Sequence, residues 1–278
     1  MRSASRRTSR GGGPAVRGEH SNRDPVSVER RGDVAWCTLD RPPLNLLDPE
    51  LIAAVHAAFA ELTADPTIRA AVLTGRGRAF TGGMNVRVLH DLDVVSAKAL
   101  ITSIHAMIAS VPHAPFPTIA RVNGFCLGAG FELALACDVR IAATSARLGL
   151  PEVRVGVPSV IEAALLPALV GPGRAAEMLL TGDAVEAEQA QAWGLVNRVV
   201  PMEELDAAVA SVVDKIRACG PAAIRLQKEL MVRWRYTDLA AAIEYGINAF
   251  STAYATDEPR EGARAFLEKR APRFGSVS

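Results

Sequence analysis

The stretch Asn123-Gly-Phe-Cys-Leu-Gly-Ala-Gly-Phe-Glu-Leu133 decides the fold of this 278-residue chain. Residues 118–122 precede it with the pattern of a buried strand, and the apolar run from Phe131 to Cys137 has that of a helix. The glycines between them, Gly128 and Gly130, allow positive φ and a close approach of the backbone to a ligand. This order of strand, glycine turn and helix indicates a parallel-type α/β arrangement.

The free N–H groups at the start of this helix are candidates for binding a developing negative charge, because the helix dipole reinforces them. A dinucleotide-binding fingerprint is excluded, since Leu133 stands where G-x-G-x-x-G has its third glycine. Close strand–helix packing remains a plain alternative explanation for each single glycine. The loop from Gly77 to Asn85 is a second glycine-rich backbone after a strand. It either supplies a second N–H donor or simply connects two elements.

Two glutamates are candidates for acid–base chemistry. Glu132 lies inside the apolar helix, and Glu152 follows Pro151 among apolar residues and glycine turns. Each has a plain alternative explanation, because an acid near a helix start complements the dipole and Pro-Glu often begins a helix. As a pair they are more informative: two carboxylates can divide acid and base roles if their environments separate their pKa values.

The rest of the chain has alternating strand and helix patterns up to about residue 159. Strands are predicted at 34–39, 70–74 and 138–142, and helices after the cap Asp48-Pro49 and at 95–110. A long loop is predicted from Gly75 to Asn85. Later patterns are helical except for an extended run at 196–200. The sequence therefore divides into a disordered tail (1–24), a core (25–200) and a C-terminal helical subdomain (201–278).

Composition excludes several classes of function. The net charge of +1 provides no global field for nucleic acid or membrane. The four cysteines form no C-x-x-C pair and are expected to be small buried hydrophobes in a reducing compartment. No apolar run reaches about 18 residues, so no transmembrane helix is expected, and a cytoplasmic location is the default. No histidine has metal-ligand spacing, and His90 is a candidate only for lining an acyl pocket.

The first 24 residues are rich in Arg, Ser and Gly and have too few apolar side chains to offset the entropy of ordering. A flexible tail is predicted, with a transit peptide or an RNA-binding arm as alternatives.

Several blocks in order resemble the enoyl-CoA hydratase/isomerase, or crotonase, superfamily from about residue 26 to the C-terminus. The blocks are Ala71–Gly75 with Ala79-Phe80, Val122–Ala134 with Cys137-Asp138, Pro151-Glu152 with Gly156, Leu180–Gly182, Ala192–Asn197, and Glu261-Gly262 with Ala265–Arg270. The resemblance implies an α/β fold with a crotonase-like ββα spiral core and a C-terminal helical trimerisation subdomain.

The resemblance also implies a reaction, the reversible addition of water across the 2,3 double bond of an enoyl-CoA thioester, as in the β-oxidation of fatty acids. The thioester oxygen is then expected between the backbone N–H groups of Met84 and Ala129. Glu132 and Glu152 are the implied catalytic residues: one or both deprotonate water, and Glu152 delivers a proton to Cα. The family uses no metal and no redox cofactor, because coenzyme A arrives as part of the substrate.

Further contacts to the substrate or its CoA are implied by the same resemblance. They fall on Ala79, Thr81, Gly83, Asn85, Gly128, Phe250, Phe266 and Lys269. Of these, Phe250, Phe266 and Lys269 resemble contacts to the adenine and phosphates of CoA, with helix-face packing or a solvated face as the alternative. Members of the family commonly form homotrimers that pair into hexamers, in which C-terminal helices complete a neighbour's site.

The chain departs from the family pattern at two places. Met84 and Asn85 stand where Ala-Asp is usual, which reshapes the acyl entrance and removes a negative charge. Ser159 to Glu162 replaces a glycine-rich stretch, and its S-x-x-E spacing predicts a capping box, with Glu162 as a third acid of the pocket being the alternative.

Other functions remain open from sequence. They are double-bond isomerisation, which needs one acid–base group, another crotonase-type acyl-CoA reaction, and a non-catalytic CoA- or RNA-binding module. The acyl group, stereochemistry and pathway are not determined by the sequence.

Overall fold

The computed structural model describes residues 24–275, in which the chain forms ten strands and eleven helices. The strands are β1 (Val26–Arg31), β2 (Val34–Leu39), β3 (Ala70–Gly75), β4 (Ala79–Thr81), β5 (Thr118–Val122), β6 (Phe125–Leu127), β7 (Val139–Ala143), β8 (Arg147–Gly149), β9 (Val185–Glu186) and β10 (Arg198–Val200). The helices are α1 (Pro49–Ala64), α2 (Val86–His90), α3 (Val94–His113), α4 (Ala129–Ala136), α5 (Leu166–Val170), α6 (Pro172–Thr181), α7 (Ala187–Ala192), α8 (Leu205–Arg217), α9 (Pro221–Trp234), α10 (Leu239–Ala253) and α11 (Glu258–Leu267). Short 3-10 turns cover Glu152–Val155, Glu162–Leu165 and Met202–Glu204.

The strands form two sheets, and from β3 to β8 successive strands alternate between them. One sheet has the order β1-β2-β3-β5-β7-β10, with only its β1–β2 pair antiparallel. The other has the order β4-β6-β8-β9, with only its β8–β9 pair antiparallel. A strand of the first sheet, a strand of the second and a helix or helical turn follow one another repeatedly, as in β3-β4-α2 and β5-β6-α4. The predicted ββα spiral is therefore confirmed.

Helices cover both faces of the larger sheet because its strands are apolar on both faces. In β2, Ala35, Cys37 and Leu39 pack with α1, α3 and α4 in the main core, whereas Val34 packs on the other face. There the buried side chains of α8 complete a second, smaller core. This alternation is that of a strand, in which successive side chains point to opposite faces.

The helix starts reflect local sequence. The predicted cap of α1 is confirmed, since the Asp48 carboxylate accepts a 2.8 Å hydrogen bond from the N–H of Leu51 and Pro49 lies in the first turn. A capping box forms at α3, where Asp93 and Ser96 exchange side-chain-to-backbone hydrogen bonds.

Some expectations need correction. The predicted loop from Gly75 to Asn85 contains strand β4, and the short strands β6 and β8 were also not predicted. The region after residue 200 is helical, but α8 packs on the sheet, so the core continues past that predicted boundary. Three cysteines are buried as expected, whereas Cys219 is exposed. The predicted tail lies outside the described residues except for Asp24.

Helix α3 is long and apolar enough to cross a membrane by length and composition, contrary to the expectation from apolar run length. Core helices of soluble proteins pass the same test. Here α3 packs against α1 and α4 through the buried side chains of Ile104, Met107, Ile108 and Val111.

Candidate active site

The site is built around the start of α4, where the backbone turns sharply. Gly128 has φ +58, and a Cβ there would lie 2.9 Å from Oε1 of Glu152. Gly130 packs on strand β4, so that a Cβ would lie 2.0 Å from the Thr81 methyl group. Gly128 needs glycine for its positive φ and for this close approach, and Gly130 needs it because no Cβ fits against Thr81. The turn thus places the first residue of α4 and the Glu152 carboxylate beside each other at the same cavity.

The far end of α4 is held by a buried arginine. The Arg140 guanidinium donates hydrogen bonds to the carbonyl oxygens of Leu135 and Cys137, at 3.2 and 2.6 Å, and to that of Leu195 at 2.7 Å. A cation at a helix C-terminus satisfies its last carbonyl groups and complements the dipole. Arg140 therefore anchors the helix whose N-terminus forms the site.

Glu132 is buried in the first turn of α4, with only 2% of its surface exposed. Its Oε1 accepts a 2.8 Å hydrogen bond from the N–H of Ala163. Burial raises the pKa of Glu132 to about 7 against the opposing effect of this bond, and the charges of Glu152 and Glu162 raise it further. The carboxyl group therefore exchanges a proton near neutral pH.

Glu152 begins the 3-10 turn that follows strand β8. Its Oε2 accepts a 2.7 Å hydrogen bond from the hydroxyl of Ser159. Burial raises the pKa of Glu152, and the Ser159 hydroxyl opposes this by stabilising the charged form. The two glutamates thus have different environments, as a division of acid and base roles requires.

Two backbone N–H groups face the same cavity. Ala129 is the first residue of α4, so its N–H has no preceding carbonyl group within the helix to bond. Met84 follows Gly83, whose carbonyl oxygen accepts from Leu47, and no described residue accepts a hydrogen bond from the Met84 N–H. These two donors are available to an oxyanion.

The cavity that joins these groups has a volume of about 500 Å³. Both glutamates and both N–H donors line it together with apolar side chains from α2, α3 and the 152–160 region; the apolar wall includes Leu89, Leu92, Ile101, Ile104, Val157 and Val160. A mostly apolar pocket with a few convergent polar groups is typical of a small-molecule site.

A larger cavity of about 620 Å³ lies between α9 and the end of α3. Its charged groups are already paired, because Glu229 binds Arg233 and the buried Lys228 binds Asp138. It contains no pair of carboxylates, so the cavity at α4 is the better candidate for chemistry.

The comparisons with known proteins agree with this geometry. The sequence model of the enoyl-CoA hydratase/isomerase family matches residues 29–277. The chain belongs to the enoyl-CoA hydratase/isomerase family. Among solved structures similar to this family member is an enoyl-CoA hydratase from Bacillus anthracis, with a TM-score of 0.87, 32% identity, and 91% of this chain and 100% of that chain covered.

Curated relatives of this hydratase/isomerase family member have hydratase names. A probable enoyl-CoA hydratase from Mycobacterium tuberculosis is 36% identical over 253 residues, covering 90% of this chain and 98% of the relative. A crotonyl-CoA hydratase from Syntrophomonas wolfei is 35% identical over 255 residues, covering 90% and 97%. The similarity therefore extends over almost the whole length of both chains.

Of the residues expected to contact substrate, some reach the cavity and some do not. Gly83 and Gly128 line it, together with Met84 and Ala129. Ala79 and Thr81 do not, because their side chains are fully buried in β4, where the Thr81 hydroxyl accepts from the N–H of Gly83 at 3.0 Å. Thr81 supports the loop that carries Met84, and contact of these two residues with substrate or CoA stays a prediction.

Five other expected positions lie away from the cavity lining. Asn85 caps α2 through a bond to the N–H of Arg87, and His90 pairs with Asp91 on the exposed surface. His90 as a lining residue is thus not supported. Phe250 and Phe266 are 69% and 83% exposed on α10 and α11, and Lys269 follows α11 with φ +54. Their role as CoA contacts stays a prediction.

The capping box predicted from Ser159 and Glu162 is wrong. Ser159 binds Glu152, and Oε1 of Glu162 lies 2.9 Å from Nδ1 of His105 on α3. The local S-x-x-E spacing pointed to a bond within the segment, whereas Ser159 binds the site residue Glu152 and Glu162 binds His105 of another helix. Ser159 and His105 are thus residues of the site region that sequence reasoning did not identify.

Proposed function

We propose that this chain is an enoyl-CoA hydratase, which adds water reversibly across the 2,3 double bond of an enoyl-CoA thioester. The observation that carries the proposal is the convergence, in one apolar cavity, of two carboxyl groups with raised pKa values and two free backbone N–H donors. The hydratase names of relatives at 35–36% identity support it.

In the proposed reaction the thioester oxygen lies between the N–H groups of Met84 and Ala129. Water attacks Cβ, and negative charge develops on that oxygen as an enolate. Donors fixed in place before the reaction stabilise this charge without reorganisation, and one such donor typically contributes about 10²–10³ in rate. The dipole of α4 behind Ala129 adds to the effect.

In the active state the two glutamates share one proton, so that one carboxyl group is protonated and the other is ionised. Hydration needs an ionised Glu132, which takes a proton from water, and a protonated Glu152, which donates one to Cα. Dehydration needs the opposite arrangement. Because the pKa of Glu132 is about 7, the singly protonated pair exists close to neutral pH. Both directions of a reversible reaction then use the same pair without an external acid or base.

No step of this reaction needs a metal or a separate cofactor. Both proton transfers are assigned to carboxyl groups, and coenzyme A enters as part of the substrate. The apolar wall formed by α2, α3 and residues 155–160 fits an apolar acyl chain. Met84 lies at the start of that wall and contributes both its N–H and its side chain.

We also propose that the chain assembles as a homotrimer or as a hexamer of two trimers. Helices α10 and α11 expose large apolar side chains, among them Leu239, Ile247, Phe250 and Phe266, and an extended exposed apolar surface is typical of an interface. Light scattering coupled to gel filtration tests this, and a monomer at micromolar concentration would contradict it.

The activity is tested with purified protein and a panel of 2-enoyl-CoA esters, beginning with crotonyl-CoA. Hydration removes the conjugation of the thioester and lowers its ultraviolet absorbance, and the 3-hydroxyacyl product is identified by mass. A product with a shifted double bond and no added water would support isomerisation instead.

A further inference from the structure

The segment from Ser159 to Ala163 contacts both glutamates of the site. The Ser159 hydroxyl binds Glu152, and the N–H of Ala163 binds Glu132 at 2.8 Å. Glu162 lies directly beside Ala163, on the 3-10 turn that packs against α4. A carboxylate that no step of the proposed reaction uses is therefore placed next to the hydrogen bond that holds Glu132.

Glu162 is held from one side only. Its Oε1 lies 2.9 Å from Nδ1 of His105, a residue 57 positions earlier on α3. Its Oε2 is buried, and none of the described residues gives it a hydrogen bond. The side chain is 13% exposed. A buried carboxylate oxygen without a partner is unfavourable for stability, so the position of Glu162 beside the site needs an explanation.

The ionisable groups around Glu132 come from several elements. Glu152 and Arg154 on one 3-10 turn and Lys98 on α3 line the cavity with Glu132, and Glu162 lies on the other turn, where it binds His105 of α3. The two carboxylates act on Glu132 in the same direction, since each negative charge disfavours a third. Arg154 is engaged elsewhere, by Asp183 and by the carbonyl of Thr181.

We propose that Glu162, held by His105, is a positioning residue that favours the arrangement of the catalytic pair with the shared proton on Glu132, which is the arrangement from which the proposed dehydration starts. It acts through its charge and through the turn that presents the Ala163 N–H, without touching the substrate. The part played by the pair in catalysis rests on the proposed hydratase function, but the location of the proton does not, and it can be measured without turnover.

The direct test is an infrared titration of the carboxylic acid band in the whole protein. A band that disappears near pH 7, and is absent in Glu132→Gln, belongs to Glu132. In Glu162→Gln we expect the Glu132 band to disappear roughly 0.5–1 pH unit lower, because one nearby negative charge is removed. Glu162→Asp keeps the charge and should titrate close to the native protein. An unchanged Glu132 band in Glu162→Gln would overturn the proposal.

Glu29→Gln is the matched control. Glu29 lies on the edge strand β1 in an exposed ion pair with Arg31, so its removal takes away one carboxylate far from the cavity in sequence and sheet order. In Glu29→Gln the Glu132 band should disappear at the same pH as in the native protein. If Glu162→Gln does not fold, Glu162→Ala removes the same charge and has the same expected shift.

Kinetics separate this proposal from the proposed function. If the protein hydrates crotonyl-CoA, the limb of its pH–rate profile near pH 7 should move with the band in Glu162→Gln and return in Glu162→Asp. A moving band without any hydration would leave the positioning role intact and refute the hydratase. If the protein hydrates crotonyl-CoA but Glu162→Gln shifts neither the limb of the pH–rate profile nor the infrared band, the hydratase function stands and the positioning role of Glu162 is refuted.

Discussion

The hydroxyl of Ser159 donates a 2.7 Å hydrogen bond to Oε2 of Glu152, while Oε1 of the same carboxylate lies against Gly128. The side chain is thus fixed at one oxygen, and its other oxygen is directed to the turn that begins α4. This bond stabilises the ionised form of Glu152 and opposes the effect of burial on its pKa.

Ser159→Ala should therefore raise the pKa of Glu152 and loosen its orientation. A hydrogen bond to a charged group contributes about 1.5–3 kcal/mol, so we expect kcat for hydration to fall about tenfold or more. The acidic limb of the pH–rate profile should move to higher pH. Ser103→Ala on α3, whose hydroxyl binds only a carbonyl of its own helix, is the control and should behave as native. Equal effects of the two substitutions would contradict the assignment.

The pH dependence of the reaction follows from a proton shared by the pair. Only the singly protonated pair is active, so kcat/KM should be bell-shaped, with an alkaline limb near pH 7 from Glu132. Hydration and dehydration should have the same profile, because they use two arrangements of one protonation state. Activity that continues to rise from pH 7 to 9 would show that the pair does not share one proton.

Glu132 should limit stability while serving catalysis. Its folded pKa of about 7 lies above the ordinary value of 4.5, so the folded state holds a proton that the unfolded state loses between these pH values. The native stability from this group is present below pH 4.5 and is lost as pH rises to 7. Glu132→Gln has no proton to lose at this position. The free energy of unfolding of the variant minus that of the native protein should therefore rise by about 3 kcal/mol as pH rises through that window. Chemical denaturation at pH 4.5 and 8, at equal protein concentration, measures this difference.

Gly128 should tolerate no side chain. Gly128→Ala places a Cβ 2.9 Å from the Glu152 carboxylate, at φ +58 and ψ −139, a backbone conformation that costs an alanine about 1–3 kcal/mol. The carboxylate must then move, and we expect a loss of kcat of at least tenfold together with a melting temperature lowered by a few degrees. Gly173→Ala in α6, where nothing lies within 4 Å of the added Cβ, is the control. A fully active Gly128→Ala would show that the turn does not position Glu152.

Much of this site could be predicted because its signals are local. The Asp48 cap, the glycine turn before α4 and the apolar pattern of the long strands depend on neighbours in sequence. The three-residue strands β4, β6 and β8 could not, since they are too short for a period and their pairing is defined only by the second sheet.

The errors at Ser159 and Glu162 have a related cause. The S-x-x-E spacing satisfies a local capping rule, but burial beside α4 and the approach of His105 from α3 offer partners that the local sequence cannot reveal. Thr81 illustrates the opposite case: the resemblance implies that it contacts substrate or CoA, yet its buried hydroxyl accepts a hydrogen bond from the N–H of Gly83.

The central claim is that Glu132 and Glu152 together add water to an enoyl thioester. It is tested most directly by the rate of crotonyl-CoA hydration in the native protein, in Glu132→Gln, in Glu152→Gln and in the control Glu29→Gln. We predict turnover by the native protein and the control, and a loss of about 10²–10⁴ in kcat for each of the other two. Hydration that survives at the native rate in either glutamine variant, or no turnover of any enoyl-CoA by the native protein, would contradict the claim.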